Sequence, residues 1–430
     1  MPLREAGPTL ALGLLLTFGS SVGQTYFIGL FAGAVREDLG LSHAGFGGLY
    51  TLATAASAAL LLWLGKAADR YEPAPLATAV MLLLAVAALG MARADSIWLL
   101  VLALVGLRFL GQGMLGHIAV TMLARRFAAG RGRALGIAML GYPIGEALLP
   151  LLVALALAAF GWRAIWLGTA LVMLLLIPLV LRLEQVMRRT PQGQRAVAGT
   201  AAGPQAAGWS RLQVLRDRRF YALLPTLAAT PFIVTGVLFH QVHLAQAKGW
   251  TLTELAACYP VYALASTGAA LACGWLIDRV GAIRLLPVFL LPLALGLALA
   301  GSDVGGGPEG TALTIAAGFM ALIGATAGSA TVLFGALWAE VYGTRHLGAI
   351  RGLVAAYMVF ATALAPGALG WLLDQGTEPR QLLLWLAGCA LLCAVATLPL
   401  LPRLLEARAA PSQDQASHPN HHQGPADCHA

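Results

Sequence analysis

Two short stretches, GKAADR at residues 65–70 and GWLIDR at residues 274–279, share the pattern G-x-x-x-D-R and lie 209 residues apart. Each stretch ends one long apolar run and precedes the next one. Glycine lets two helices approach closely, while aspartate and arginine can cap a helix or pair with a neighbouring one. A motif that recurs at equivalent places in this way indicates a chain built from two similar halves.

The composition around these stretches is that of a membrane protein. Of 430 residues, 59% are hydrophobic and only 11% are charged, and the mean hydropathy is +0.78. Soluble domains carry about 25% charged residues. A membrane-spanning helix needs roughly 20 consecutive apolar residues. The sequence therefore predicts an all-α polytopic membrane protein.

Twelve apolar stretches are long enough to be candidate spans, six before residue 182 and six after residue 219. A single charged residue interrupts two of them, Arg108 in 96–124 and Glu146 in 134–162. The one at 285–302 is short and contains two prolines. The ten stretches without Asp, Glu, Lys or Arg are 6–35, 39–65, 73–92, 164–181, 220–247, 255–277, 285–302, 310–339, 352–373 and 381–402.

The positive charges are distributed unevenly between alternate loops. With the N-terminus inside, the inner segments hold 21 Lys and Arg and the outer segments hold 5. Cytoplasmic loops collect these residues, so we predict an inner (plasma) membrane protein with both termini in the cytoplasm. The net charge of +8 is spread between apolar runs and not over one soluble face, so no nucleic-acid partner is expected.

The predicted domain organisation has four parts. Residues 1–181 form an N-terminal six-helix bundle, 182–219 a cytoplasmic linker and 220–405 a C-terminal six-helix bundle. Residues 406–430 form a polar, disordered cytoplasmic tail with four histidines, for which an unstructured, solvated end and a metal-binding tail are alternatives. We predict a monomer that lies in the lipid bilayer and has no cofactor or bound metal.

The repeated loop resembles a known family motif. In the major facilitator superfamily the loop after the second helix reads G-x-L-A-D-R-x-G-R-K. Gly65, Asp69 and Arg70 match it, but Glu-Pro-Ala-Pro at 72–75 replaces the basic residues. Gly274, Asp278 and Arg279 stand at the same positions of the second copy. The resemblance covers residues 8–402. It implies a fold of two pseudo-symmetric six-helix bundles and a gating role for these six residues.

Other spans carry further resemblances. The fourth span, from Arg108 to Gly113, is similar to the superfamily's R-x-x-x-G-x-G pattern, although its spacing is one residue tighter. The fifth span, at 141–146, resembles the glycine-proline motif of proton-linked drug exporters, interrupted by Tyr142 and Glu146. The opening at 18–31, followed by Leu-Gly-Leu-Ser at 39–42, looks more like the monocarboxylate and oxalate/formate branch.

The two deep charges are the main candidates for transport chemistry, since a charge at membrane depth costs roughly 2.5–3.5 kcal/mol on insertion scales. Arg108 can bind an anionic solute group or pair with a carboxylate, and Glu146 can carry the coupling proton. The alternative is a static clamp between the fourth and fifth spans, in which Arg108 holds Glu146 or a backbone carbonyl.

Four further polar residues are candidates for contact with the solute. The resemblance implies that helices one, four, seven and ten line the cavity, which places Gln24, Tyr26 and Gln112 there. His117, nine residues after Arg108, is a candidate proton relay. Hydrogen bonds between helices are the alternative for Gln24, Tyr26 and Gln112, and a packed core histidine is the alternative for His117.

Polar residues also lie near the outer end of the seventh span. His240, Gln241 and His243 are predicted either to form an extracellular or pH-sensitive gate or to make up a solvated helix end.

Two sequence matches to catalytic motifs lack their structural context. G-x-G-x-x-G at 111–116 and G-x-S-x-G at 19–23 lie within apolar spans, without a preceding strand. Such glycines, like Gly324 and Gly328, predict close helix packing. We therefore predict a secondary transporter, not an enzyme, that moves a small organic anion together with protons by alternating access. A drug or metabolite exporter driven by proton antiport is the alternative, and an intramembrane enzyme or a sensor is a remote one.

Overall fold

The computed structural model describes residues 3–127, 131–188, 209–302 and 311–409. Regular structure in these ranges is helical, as the sequence predicts. Ten helices are long and apolar enough to cross a membrane. One of these ten contains a sharp kink, and one further apolar helix is shorter, so the described ranges account for twelve spanning segments.

We number the spanning helices α1 to α12 along the chain. Helix α1 begins at Leu3 and its last piece ends at Leu39. Helices α5 and α6 are the two parts of the continuous stretch Gly141–Arg188, separated at Gly161. The others are α2 (His43–Leu64), α3 (Pro73–Ala92), α4 (Ile97–Arg126), α7 (Arg218–Phe239), α8 (Tyr259–Val280), α9 (Leu291–Gly301), α10 (Thr311–Tyr342), α11 (Leu347–Asp374) and α12 (Pro379–Ala396).

Glycine and proline explain two irregular features: the kink that separates α5 from α6, and the short length of α9. Gly161 has φ 73° and ψ 162°, a conformation open to glycine, and it turns the chain between α5 and α6. Helix α9 has only 11 residues, fewer than the predicted span 285–302, and a 3-10 turn at Ile283–Leu285 precedes it. The two prolines of this segment lack the amide hydrogen that an earlier helix start would need.

Helix α1 is interrupted in its middle. The helix Leu3–Gly19 gives way to a 3-10 turn at Ser20–Gly23, and Gln24 is extended, with φ −79° and ψ 151°. Helix geometry resumes at Thr25–Gly29. A discontinuous spanning helix of this kind exposes backbone carbonyls to other partners, which is how many transporters build ion and solute sites.

The interruption in α1 faces an irregular part of α4. Residues Leu107–Leu115 form a π-helical segment, a rare geometry that is frequent at functional sites. A methyl group at Gly23 would overlap the Leu107 carbonyl oxygen and lie 2.9 Å from the Gly111 Cα. The two backbones therefore touch, and the glycines predicted to pack closely allow this contact.

Small residues also join α10 to α8. A methyl group at Gly324 would lie 3.1 Å from the Tyr262 Cα, and one at Gly328 would lie 2.9 Å from the Ser266 Cα. The predicted packing role of this glycine pair is confirmed. Close approach of backbones replaces the hydrophobic driving force that is missing between helices in lipid.

The predicted halves, 1–181 and 220–405, meet at what we call the far end, where α1 ends and α2 begins. The Asp374 carboxylate of α11 accepts hydrogen bonds from the backbone amides of His43 at 3.0 Å and Ala44 at 2.8 Å. The Thr51 hydroxyl donates to the Ala363 carbonyl at 2.6 Å. These bonds, made by residues far apart in the sequence, close the far end.

The division into two bundles itself stays a prediction. Residues 189–208 of the predicted linker lie outside the described ranges, as does the tail from residue 410 onwards, including its histidines. On either side of the undescribed linker segment, α6 continues to Arg188 and a short helix covers Arg211–Arg216.

Candidate functional site

The site is centred on Arg108, which lies in the π-helical segment of α4 and is 2% exposed. Its Nε donates to the Thr54 hydroxyl at 3.2 Å. Its Nη1 donates to the Gly23 carbonyl at 3.0 Å and to the Thr25 hydroxyl at 3.4 Å. The guanidinium carbon also lies 5.1 Å from the centre of the Tyr50 ring. One side chain of α4 therefore ties α1 and α2 together.

The interruption in α1 explains why Arg108 can bind there. Extended backbone at Gln24 removes the helical partner of the preceding carbonyl, and the guanidinium of Arg108 supplies the missing donor. All of these hydrogen-bond partners are neutral. No carboxylate in the described ranges forms an ion pair with Arg108. A buried cation without a counter-ion is costly, and an anionic ligand would relieve that cost.

Glu146 lies apart from this arginine. Its side chain on α5 is partly exposed although it lies in the middle of the span. Among the described residues, the groups within electrostatic reach of its carboxyl include the hydroxyls of Tyr26, Tyr142, Tyr259 and Tyr262. The clamp interpretation is thus corrected in part: Arg108 holds a backbone carbonyl, but of α1, and it forms no ion pair with Glu146.

Beside Glu146, a hydrogen-bond chain crosses between the halves. The Tyr259 hydroxyl donates to Gln241 Oε1 at 2.6 Å, and Gln241 Nε2 donates to the Tyr26 carbonyl at 2.8 Å. The rings of Tyr26 and Tyr259 lie 5.9 Å apart. Sequence reasoning placed Tyr26 in the cavity but missed Tyr259, which lies at the start of α8 and offers no motif.

Of the remaining predicted contacts, Gln24 and Gln112 lie near Arg108, whereas His117 does not. Gln24 donates to the Ser20 hydroxyl at 3.2 Å, and both Gln24 and Gln112 are partly exposed near Arg108. His117 lies further along α4, with its Nε2 3.7 Å from where a Cβ at Gly65 would be. It therefore packs beside the loop after α2, away from the arginine, which favours its structural alternative over a proton relay.

The first of the two loops predicted to act as gates is held by an arginine that the sequence did not single out. Arg125, at the end of α4, pairs with the Asp69 carboxylate at 2.8 Å. The same guanidinium donates to the carbonyls of Ala68 at 3.0 Å and Asp69 at 2.8 Å. Arg70 is exposed, and Gly65 ends α2.

The second copy of the motif is arranged differently. Gly274, Asp278 and Arg279 lie within the last turns of α8, and the Arg279 guanidinium carbon stacks 3.8 Å from the centre of the Trp275 ring. The loop that follows is held by a carboxylate, because the Ala282 amide donates to Glu340 of α10 at 2.6 Å. The equivalent loops are thus anchored by opposite charges.

Comparison with known proteins decides the family. The model of the Major Facilitator Superfamily matches residues 13–366 and also residues 235–424. The chain belongs to the major facilitator superfamily. Superfamily membership makes this chain a transporter of small solutes and not an enzyme, and it confirms the predicted all-α multi-pass membrane fold.

Individual superfamily relatives agree with this assignment. A human protein named Monocarboxylate transporter 11 is 31% identical over 283 residues, which cover 62% of this chain and 57% of that relative's length. The nucleoside transporter NupG has a TM-score of 0.71 at 15% identity, covering 91% of this chain and 98% of NupG. An inward-facing bacterial homologue of the human lysosomal transporter Spinster has a TM-score of 0.66 at 16% identity, covering 94% and 96%.

Proposed function

We propose that this superfamily member is a secondary active transporter that moves a small organic anion together with protons across the inner membrane. The observation that carries the proposal is the buried guanidinium of Arg108, whose hydrogen-bond partners are all neutral. A solute carboxylate would provide the missing negative charge and could accept two parallel hydrogen bonds.

The substrate class rests on chemistry and on one relative. Arg108 lies where α1 is interrupted, beside the partly exposed side chains of Gln24 and Gln112. Their amide groups can donate hydrogen bonds to a polar solute or accept hydrogen bonds from it. The human relative is named for monocarboxylate transport, and its matched region includes just over half of its length. Both observations favour a small monocarboxylate over a cation or a neutral drug.

Glu146 is the proposed proton carrier. Because no cation forms an ion pair with it in the residues that the structure describes, it can take up or release a proton without first breaking a salt bridge. Its side chain is partly exposed, so it is not sealed within the protein core. Of the neighbouring hydroxyls, that of Tyr26 can accept or donate a hydrogen bond, whereas that of Tyr259, which already donates to Gln241, can only accept one.

The orientation of the structure follows from the charge distribution of the loops. Because the arginine-rich loops belong in the cytoplasm, the far end faces outward and is closed in this structure. Transport by alternating access then requires the bonds of Asp374 to the His43 and Ala44 amides to break when the outside opens.

The test is uptake into proteoliposomes of radiolabelled formate, lactate and oxalate, with and without an inward proton gradient. We expect gradient-driven flux in the wild type and loss of flux in Arg108→Ala and Arg108→Lys, since lysine lacks the planar fork of donors. Glu146→Gln should retain exchange of labelled for unlabelled anion but lose the response to the gradient. Arg93→Ala, an exposed arginine at the end of α3, is the matched control.

Two results would count against this assignment. Undiminished flux in Arg108→Ala would remove the arginine from anion binding. Net outward movement of cationic or neutral solutes from right-side-out vesicles, with no anion flux, would instead favour an exporter driven by proton antiport.

A further inference from the structure

A small cavity lies at the far end, outside the site around Arg108. It has a volume of about 20 Å³, which is room for a single ion or water-sized group. Its walls come from α1, from the start of α2 and from the segment just after α7. The polar side chains that line it are those of Arg36, His43, His240, His243 and Gln246.

Two nitrogen atoms in this cavity are buried and have no hydrogen-bond partner among the described residues. They are Nε of Arg36 and Nδ1 of His43. A buried donor without a partner costs about 1–3 kcal/mol. Unpaired atoms of this kind in native structures call for an explanation such as a bound ion or water. They belong to two different helices whose residues line one cavity, which points to a bound group between them.

The histidines gather around the same point. The His43 ring lies 4.3 Å from the ring of His243 and 5.7 Å from that of His240. The His240 ring already has a hydrogen-bond partner, since its Nε2 is 2.9 Å from the Pro366 carbonyl oxygen. His43 and His243 belong to opposite halves of the chain, so a ligand that bridges them would also bridge the halves.

The charges that face the cavity are predominantly positive or potentially positive. Arg36 contributes a permanent positive charge, and the three histidines contribute neutral rings that can be protonated. Among the residues that the structure describes, the carboxylate within electrostatic reach is that of Asp374. Both of its oxygens already accept backbone hydrogen bonds from the first turn of α2, so they do not satisfy the donors in the cavity.

We propose that this cavity binds one small monovalent anion, either a halide ion or the carboxylate group of an incoming solute. The anion accepts hydrogen bonds from Arg36 Nε on α1 and from the imidazole of His43 on α2. It holds the far end closed because its charge also attracts His243, in the segment after α7, when that ring is protonated. If the bound group is a solute carboxylate, the proposal rests on the proposed anion transport and extends it to the outer entrance of the molecule. If the bound group is a halide ion, the proposal does not depend on that function.

Binding at this cavity should depend on pH. Burial, and then the positive charge of Arg36, lower the pKa of His243 from its ordinary value. A bound anion offsets the charge of Arg36 and so raises the pKa of His243 again, which means that anion binding takes up protons. Affinity therefore increases as the pH falls below the ordinary pKa of histidine, by up to about tenfold per pH unit if one proton is taken up.

The experiment is thermal unfolding of the purified full-length chain, titrated with sodium chloride or sodium formate against sodium gluconate at equal ionic strength. We expect both small anions to raise the unfolding temperature, with greater affinity at about pH 5.5 than at about pH 7.5. Arg36→Gln should weaken the apparent affinity by about ten- to a hundredfold, since it removes a charged donor. His243→Gln should leave binding but remove its pH dependence. Arg93→Gln is the matched arginine control.

Each possible result either supports or overturns the anion site. Equal unfolding temperatures in chloride, formate and gluconate at both pH values would overturn the proposal, as would an unchanged anion effect in Arg36→Gln. If chloride and formate compete for one site, a shared anion site is supported; if only formate acts, the site belongs to the solute. Chloride stabilisation that requires Arg36, in a protein without anion flux, would support this site while the proposed function fails.

Discussion

The contact between α1 and α4 gives the sharpest mutational prediction. Replacing Gly23 by alanine puts a methyl group against the Leu107 carbonyl oxygen, 2.5 Å from the Gln112 amide nitrogen and 2.9 Å from the Gly111 Cα. All three neighbours are backbone atoms, so no side-chain rotation can relieve the overlap. The two helices must move apart at the point where Arg108 binds the carbonyl of residue 23.

The size of the effect follows from this geometry. Overpacking costs about 1–3 kcal/mol, and rigid backbone neighbours put Gly23→Ala at the upper end. At about 2 °C per kcal/mol for a large chain, the unfolding temperature should fall by about 6 °C. The hydrogen bond from Arg108 to the Gly23 carbonyl, 3.0 Å long, would also lengthen. Losing a bond from a charged donor costs about 1.5–3 kcal/mol, which adds to the loss of stability at the contact between α1 and α4.

The measurement compares Gly23→Ala with Gly7→Ala in thermal unfolding and in anion uptake. Gly7 lies in the same helix, but a methyl group there meets nothing within 4 Å. Alanine is also the better helix former, so Gly7→Ala should be neutral or slightly stabilising. If both variants unfold at the same temperature and transport equally well, the contact between α1 and α4 does not support the site.

Three further variants test the surrounding structure. Trp166 is fully buried against two phenylalanine rings of α1, so Trp166→Ala should cost about 3–5 kcal/mol and lower the unfolding temperature more than any surface change. Arg125→Ala should speed hydrogen exchange in the loop after α2 more than Asp69→Asn does, because the arginine also holds two backbone carbonyls. Each change should lower stability by under about 1 kcal/mol, since this ion pair is exposed. Glu340→Gln keeps an acceptor for the Ala282 amide, so only Glu340→Ala should speed exchange of that amide.

The architecture could be predicted because lipid imposes strong rules on sequence. Long apolar runs separated by charged loops locate the spans, and a repeated six-residue motif indicates the two halves. The span at 285–302 was the least regular, and α9 is indeed short there. Arg108 was found for the same reason, since a charge within an apolar run is conspicuous in the sequence.

The geometry around Arg108 could not be predicted in the same way. Ser20 and Gln24 are four residues apart and read as one face of a regular helix, whereas the backbone between them is a 3-10 turn. The interruption depends on contact with the π-helical part of α4, which is a tertiary effect. For the same reason, two charges on consecutive spans suggested an ion pair between Arg108 and Glu146 that the structure does not contain.

Residues that anchor other parts of the site were also hidden. Arg125 and Glu340 look like ordinary loop charges, and only the fold shows that each holds one of the two repeated loops. His43 lies within the predicted span 39–65 and was not singled out, yet it completes a cluster with histidines that follow α7. Such groupings join residues that are far apart in the sequence, and a single sequence does not show which distant residues come together in space.

The separation of Arg108 from Glu146 has a mechanical consequence. Two carbonyls of α1, three residues apart, are held by different partners: Gly23 by Arg108, and Tyr26 by Gln241 of the other half. The ring of Tyr26 lies beside Glu146, so this short piece of α1 touches the proposed anion site, the proposed proton site and the closed far end. We infer that coupling between solute and proton passes through the movement of this piece and not through a direct ion pair. An anion that draws Arg108 away from Gly23 frees the piece to shift, and its shift changes both the surroundings of Glu146 and the bond that holds the halves together.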